Sequence, residues 1–219
     1  MDKVRIRYNN WDAVPISKYI KISNICTDDA LDDTAKSVGV ISELSDVDES
    51  VIWDLPMSEI NKLVNDIKWV NKFDFKKRWT IKKLNVGDKK CHIDYDLQNM
   101  TISQYVDFQT AWRIKDSQEK LVPVLSCFII PDGCKYGDGY DIAEFRKEIE
   151  DNIPITVANS VCFFFLKKLR NSIKSSLICS QMMLKALRKT MKNKEMREQM
   201  IEAEKNLLQM QKLYSVGCI

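Results

Sequence analysis

The side chains best suited to proton transfer or nucleophilic attack are few in this chain and do not cluster in the sequence. His92 is the only histidine among the 219 residues, so a Ser-His or Cys-His pair would have a single available base. It follows Cys91 in an alternating, strand-like stretch, where an ordinary sheet residue is the simpler interpretation. Because no nucleophile, base and electrophile can be named together, we predict that the protein is not an enzyme.

The cysteines, carboxylates and glycines do not form a recognisable binding pattern either. The seven cysteines include no CxxC pair, although zinc sites usually need thiolates and imidazoles at such short spacings. Asp46-Val-Asp48 begins like a calcium loop but lacks the required glycine and the correct spacing. The glycines of segment 131–139 match neither a P-loop nor a dinucleotide-binding loop. We therefore predict no metal and no cofactor, an acidic solvent-exposed face, and a turn-rich connector at 131–139.

Charge is distributed very unevenly along the chain. Residues 22–66 carry 11 acidic side chains against two lysines, a local charge of 2 − 11 = −9, whereas residues 166–213 carry 12 Lys/Arg against four Glu, a local charge of 12 − 4 = +8. Complementary charges of this kind steer association more than they add affinity. Head-to-tail self-association that weakens with salt is the corresponding hypothesis.

An internal repeat indicates how the supporting elements are organised. Ala35–Leu44 aligns without gaps on Glu119–Phe128, and Pro15–Ile20 aligns on Thr101–Val106 at nearly the same offset. A third pair of matching blocks follows downstream in the same order. Repeated helical units without catalytic residues are typical of proteins that hold other proteins.

Local patterns predict mostly helices. Residues 3–8 alternate as a short strand, and residues 78–86 and 90–95 flank Gly87-Asp88 as a β-hairpin. Helix 101–114 carries Ile102, Tyr105, Val106 and Gln109 on one side. Five further helices are predicted before residue 154. One begins at Pro15 and one near Pro56, and the other three cover Ala30–Leu44, Gln118–Ile129 and Asp141–Asp151.

The predicted fold class is mainly α (α+β). It comprises two related small helical units with a short β-hairpin or small sheet, followed by a long C-terminal amphipathic helix. The predicted boundaries are 1–74 for the first unit, 75–155 for the hairpin and second unit, and 156–219 for the basic helical extension. That helix is either continuous or broken near residues 192–194, because no proline occurs there and its one glycine is Gly217.

The C-terminal segment supplies the candidate binding residues. Its apolar stripe is close to a heptad pattern, and its methionines favour adaptable helix–helix contacts. The candidate partner-binding residues are Leu177, Leu184, Leu187, Met191, Phe163, Phe164 and Phe165. Core packing within the chain is the favoured interpretation for the three phenylalanines.

The same segment carries cations that could contact phosphate groups, namely Lys185, Arg188, Lys189 and Lys192. No aromatic side chains are interleaved with them, which disfavours a stacking platform for single-stranded nucleic acid. Binding to a partner or to a second copy is therefore the preferred hypothesis. Nucleic-acid binding and a solvated intramolecular helix are the alternatives.

Nothing in the sequence predicts membrane insertion. Residues 1–7 contain no apolar signal core, and the apolar run 161–166 is far shorter than the roughly 20 residues needed to span a bilayer. The irregular cysteine spacing fits reduced thiols in a cytosolic protein.

Several segments together resemble the small tail assembly chaperones of tailed bacteriophages. The resemblance extends over roughly residues 1 to 170, and its segments are Trp11–Ser23, Val40–Leu44, Leu55–Leu63, Met100–Tyr105, Val124–Phe128 and Asn152–Phe165. It implies a mostly helical, non-enzymatic protein that binds aggregation-prone structural proteins, such as a tape-measure protein, in the host cytoplasm.

The two copies and the long basic tail depart from that family pattern. A permanent place in the virion, as a connector, tail or internal protein, is equally compatible with these additions. A nucleic-acid-binding protein that uses the basic C-terminal segment is the third hypothesis.

Overall fold

The fold is that of a computed structural model, which describes residues 4–72, 81–96, 99–165, 168, 180–184, 198, 201–203, 205–206 and 208. The chain divides into two compact units, Met1–Cys162 and Phe163–Ile219. Helices predominate in the first unit, and a small antiparallel sheet accompanies them. No helix in the described ranges is both long enough and apolar enough to cross a membrane.

The first half of unit 1 is helical. It contains α1 (Ile16–Thr27), α2 (Asp33–Ser45), α3 (Glu49–Trp53) and α4 (Met57–Asp66), with a 3-10 turn at Lys68–Asn71. The helix expected from Ala30 begins three residues later, because the Asp32 side chain accepts a hydrogen bond from the Ala35 amide and caps it there.

The end of α2 is tied to α1 and to the N-terminal segment by ion pairs. Asp46 follows the helix in the left-handed conformation, with φ 56°, and its carboxylate pairs with Arg7 at 2.7 Å and with Lys18. Lys18 also donates a 2.6 Å hydrogen bond to the Glu43 carbonyl near the helix end. Asp46 is therefore neutralised within unit 1.

The strand expected at residues 3–8 is wrong for the described part, residues 4–8. The side chains there do alternate between half-buried and exposed, but no strand lies beside them. A single backbone hydrogen bond, from the Arg7 amide to the Leu44 carbonyl at 2.9 Å, fixes the segment against α2. Alternating burial alone does not make a strand, because a strand also needs a pairing edge.

The predicted hairpin is confirmed, and it belongs to a three-stranded sheet of order β1-β2-β3. Strands β1 (Lys83–Val86) and β2 (Lys89–Ile93) are joined by Gly87-Asp88, and Gly87 has φ 56°. The third strand, β3 (Ile129–Pro131), pairs with β2 and was not predicted.

The second half supplies α5 (Ile102–Trp112), α6 (Leu121–Ser126) and α7 (Ile142–Asn152), and helix resumes over 155–165. The helix expected over Gln118–Ile129 covers only Leu121–Ser126 in the structure, because the chain turns at residues 127–128 and Ile129 begins β3. Residues 121–131 are apolar except for Ser126, and such a run does not distinguish a buried helix from a buried strand. Within the possible repeat, α2 has 13 residues and α6 has six, and repetition of the two halves stays a prediction.

The start and the end of unit 1 are joined across its core. The Ile16 amide donates to the Ile153 carbonyl at 3.0 Å, and the Ile155 amide donates to the Val14 carbonyl at 2.9 Å. All four side chains are completely buried. Contacts between α1 and α7 therefore cross the predicted 74/75 boundary, and the helix that resumes at residue 155 begins inside this unit.

The long helix expected over 156–219, either continuous or broken near residues 192–194, is not supported. Helix is described over 155–165 and in short pieces at 180–184 and 201–203. The remainder of that prediction falls almost entirely outside the described residues.

Candidate functional site

The sequence-predicted contact residues fall into two groups. Leu177, Leu187 and Met191 lie outside the described residues, as do all four candidate phosphate-contacting residues, Lys185, Arg188, Lys189 and Lys192. Their roles stay predictions. Leu184 is described, at the end of the helical piece 180–184, and is half-buried.

The three phenylalanines differ in accessibility. Phe165 is only 1% exposed, Phe164 is half-buried, and Phe163 is 46% exposed. The rings of Phe164 and Phe165 meet edge to face, with centroids 5.6 Å apart. Phe165 thus has no surface to offer a partner, whereas Phe163 retains one.

Among the described residues, no catalytic group is assembled around the histidine. His92 lies opposite Ile130 in the sheet, and its Nδ1 is 3.2 Å from an Asp132 carboxylate oxygen in a pair that is about 40% exposed. Cys91 is 1% exposed, and burial raises the pKa of its thiol to about 11. Since successive strand residues face opposite sides, the thiol and the imidazole do not converge.

A metal site is not formed in the described part of the chain, where no three His, Cys, Asp or Glu side chains come together. An open cleft of about 690 Å³ lies between residues 4–9 and α4. Its charged lining residues are Arg5, Lys62, Glu59 and Asp66. The lining contains no imidazole or thiol, so it provides neither a Ser-His or Cys-His pair nor a typical zinc ligand set.

The inner face of α5 is fixed by buried polar contacts. Gln104 is 3% exposed, and its side-chain amide donates a 2.6 Å hydrogen bond to the Cys127 carbonyl at the end of α6. The same residue forms a capping box with Thr101, so one side chain both starts the helix and attaches it to the next one. Phe108 and Ala111 complete this buried face.

The connector at 131–139 fixes the middle of the same helix. The Tyr136 hydroxyl donates a 2.7 Å hydrogen bond to the Asp107 carboxylate. Burial, and then this hydrogen bond, raise the pKa of Tyr136, so the phenol stays protonated as a donor. Gly137 and Gly139 have positive φ values of 70° and 85°, which lets the chain turn tightly directly after Tyr136.

With its inner face fixed, α5 presents a second apolar face to solvent. Ile102 is 85% exposed, Tyr105 and Val106 are each 53% exposed, and Trp112 is 38% exposed. The spacing of Ile102, Tyr105, Val106 and the half-buried Gln109 places them on one side of the helix. We call this surface, formed by Ile102, Tyr105, Val106 and Trp112, the α5 outer face.

None of the side chains that form the α5 outer face is charged, although the Lys120 ammonium lies over the Trp112 ring, 5.5 Å from its centroid. Asp107 is the only charged residue between Ile102 and Trp112, and Tyr136 binds its carboxylate. By contrast, the solvent side of α7 consists largely of charged residues, as its sequence IAEFRKEIEDN shows. Contiguous exposed apolar surface is uncommon on monomers and marks interaction sites.

Sequence reasoning placed Ile102, Tyr105 and Val106 on one side of a helix but did not identify them as a binding surface. The available signal was the absence of charge: an ordinary surface helix has a polar face, and this one has apolar residues on both sides. That signal predicts a helix covered on two sides.

Comparison with protein-family models, with characterised proteins and with solved structures finds no match for this chain. The geometry of the α5 outer face is therefore the main structural basis for a functional assignment.

Proposed function

We infer that this protein is a non-enzymatic binding protein of bacteriophage morphogenesis, similar in role to a tail assembly chaperone. The observation that carries the proposal is the α5 outer face, an exposed, uncharged helix surface on a helix whose opposite side is firmly attached. The resemblance of residues 1 to 170 to tail assembly chaperones supplies the class of partner, an aggregation-prone structural protein such as a tape-measure protein in the host cytoplasm.

The proposed mechanism is burial of apolar surface. A client segment with an apolar face removes Ile102, Tyr105 and Val106 from water on binding, which stabilises the complex by roughly 25 cal/mol for each Å² buried. Tyr105 and Trp112 belong to the residue types that dominate binding energy at protein interfaces. Because the helix is attached through Gln104 and Asp107, little ordering of the binding face accompanies association.

The test is site-specific photo-crosslinking in cells that produce the phage. A photo-reactive side chain at position 105 or 106 is expected to crosslink to a phage structural protein. The matched control is position 143 on α7, where Ala143 is also exposed and no crosslink is expected. Equal crosslinking at all three positions would contradict the proposal.

Charge substitution provides the corresponding loss-of-function test. Tyr105→Glu combined with Val106→Glu is expected to weaken client binding at least about tenfold, since the loss of one interface anchor commonly costs more than about 1.4 kcal/mol. Ala143→Glu introduces the same kind of charge elsewhere and is expected to leave binding unchanged. Unaltered binding by the α5 variant would exclude this surface.

The three hypotheses for the assembly role differ in where the protein is found. Mass spectrometry of purified particles and of infected-cell lysate is expected to find a chaperone only in the lysate. Stoichiometric retention in particles would favour a virion structural component. Loss of binding on charge reversal at Lys185, Arg188, Lys189 and Lys192 alone would favour nucleic-acid binding.

A further inference from the structure

A second exposed apolar patch lies at the junction of α3 and α4, and its surroundings differ from those of the α5 outer face. Val51 is 41% exposed, Trp53 is 51% exposed, and Met57 is 67% exposed. Trp53 ends α3, and Met57 begins α4 after the short turn 54–56. Ile52, between the exposed residues of α3, is completely buried, so the outward direction of its neighbours is fixed by the core.

Carboxylates precede, interrupt and follow this patch in the sequence, and Glu59 also lines the cleft that contains Arg5 and Lys62. Residues 46–61 contain five acidic residues and neither lysine nor arginine. Of these, Asp48, Glu49, Asp54 and Glu59 are exposed. None of the four forms an ion pair with another residue of the described ranges. The fifth acidic residue, Asp46, does form ion pairs, because Arg7 and Lys18 neutralise it. We call the surface formed by Trp53, Met57, Asp54 and Glu59 the acidic-apolar patch.

Unit 2 carries the complementary composition. Residues 166–213 have a local charge of +8. In the described helical piece 180–184, Met182 and Met183 are 66% and 68% exposed. Further along the segment, Ile201 is 38% exposed and Leu208 is 47% exposed. The segment thus combines cations with exposed, adaptable apolar side chains, which is the chemistry that an acid-rimmed apolar surface would bind.

We propose that the acidic-apolar patch of one copy binds the basic C-terminal segment of a second copy, and that this contact drives self-association of the chain. Trp53 and Met57 would pack against the methionines and leucines of the segment. Asp54 and Glu59 would face its lysines and arginines. This contact uses a surface separate from the α5 outer face, so it holds or fails independently of the proposed function.

The first test is sedimentation velocity of the full-length protein at several concentrations. At about 0.1 M salt the Debye length is about 10 Å, and at 1 M it is about 3 Å. We expect concentration-dependent oligomers at low salt and a dissociation constant at least about tenfold higher at 1 M salt. If the C-terminal segment bound the patch of the same molecule instead, the protein would stay monomeric at low salt. That result would overturn the proposal.

Charge reversal tests the pairing itself. Asp54→Lys with Glu59→Lys is expected to abolish self-association of the full-length chain, as is Lys185→Glu with Lys189→Glu. The matched control, Glu119→Lys with Asp151→Lys, changes the charge equally at two exposed positions and is expected to associate like the unmodified protein. Normal association of the first variant would overturn the proposal.

Mixing the two defective variants distinguishes a contact between copies from a general effect of charge. In the mixture, the unmodified segment of one variant faces the unmodified patch of the other, and the reversed segment faces the reversed patch. Association is therefore expected to return on mixing. Mixtures that remain monomeric would show that these charges do not pair between copies. As a separate control, Tyr105→Glu with Val106→Glu is expected to leave self-association intact.

Discussion

The attachment of α5 depends in part on one buried amide, that of Gln104, and Gln104→Leu tests its contribution. Leucine keeps most of the volume but removes the donor, so the buried Cys127 carbonyl loses its 2.6 Å hydrogen bond. A buried acceptor left without its donor costs roughly 1–3 kcal/mol. In the capping box, the Gln104 side-chain oxygen also accepts a hydrogen bond from the Thr101 amide at 3.4 Å. A bond of that length is weak, so its loss adds little to the fall in unfolding free energy.

The effect is measurable as a change in the free energy of unfolding. A loss of about 2 kcal/mol corresponds to a fall in Tm of roughly 4–8 °C for a unit of this size. Urea unfolding followed by far-UV circular dichroism gives the free energy directly. Thr110→Ala is the control on the same helix. Its hydroxyl is exposed and only bonds back to the Val106 carbonyl, so a change within about 0.5 kcal/mol is expected.

The reasoning would be refuted if Gln104→Leu were as stable as the Thr110→Ala control. That result would mean that the Cys127 carbonyl finds another donor, and that Phe108, Ala111 and the Tyr136–Asp107 hydrogen bond hold α5 without the Gln104 amide. If the variant is destabilised as expected, client binding measured well below its Tm should fall less than with Tyr105→Glu. The amide positions the helix, whereas Tyr105 lies on the proposed contact surface.

Two further substitutions test the sheet and the core. Gly87→Ala should destabilise the protein by about 1–2 kcal/mol in urea unfolding, because φ is 56° at the hairpin turn and an L-residue is disfavoured there. Gly87→Asn should recover part of the loss. An alanine variant as stable as the unmodified protein would contradict the turn geometry. Burial raises the pKa of the Cys127 thiol from 9.0 to about 11. Between these two values the folded state keeps a proton that the unfolded chain releases. The stability that this thiol contributes is therefore complete below about pH 9 and lost as the pH rises toward about 11. The decline in unfolding free energy between about pH 8 and about pH 10 should be about 1.4 kcal/mol smaller in Cys127→Ala, and identical pH profiles would show that the thiol is not buried.

The elements that sequence reasoning located well have a local chemical signal at their ends. Pro15 directly precedes α1, Thr101 and Gln104 form the capping box of α5, and Asp141 caps α7. The hairpin was predictable because Gly87-Asp88 separates two strand-like runs. Each of these signals acts within a few residues, so no knowledge of the rest of the fold is needed.

The elements that were missed depend on contacts between distant residues. Strand β3 exists because the edge of β2 is available to it, as the hydrogen bond from the Asp94 amide to the Phe128 carbonyl at 2.8 Å shows. The N-terminal segment has the alternation of a strand but lies against helices, where no such edge is present. Neither outcome follows from local periodicity, because pairing is decided by tertiary structure.

The candidate surface was missed for a related reason. An apolar residue on an amphipathic helix is assigned to the core by default, and Ile102, Tyr105 and Val106 satisfy the usual spacing for a buried face. The opposite face of α5 contains Gln104, which reads as polar and solvent-facing in the sequence. The structure buries Gln104 and leaves Ile102, Tyr105 and Val106 exposed, because the connector at 131–139 and the end of α6 supply partners for Asp107 and Gln104.

The two exposed apolar surfaces should respond differently to salt, which separates the two proposals physically. The acidic-apolar patch depends on attraction between charges, and salt screens that attraction. The α5 outer face contains no charge, and strongly hydrated salts such as sulfate strengthen apolar burial. Raising sodium chloride, which screens charge without the added effect of sulfate, should therefore weaken self-association while client binding through Tyr105 and Val106 is retained. A parallel loss of both activities would show that one surface serves both contacts, and the assignment of separate roles to Trp53 and Tyr105 would be wrong.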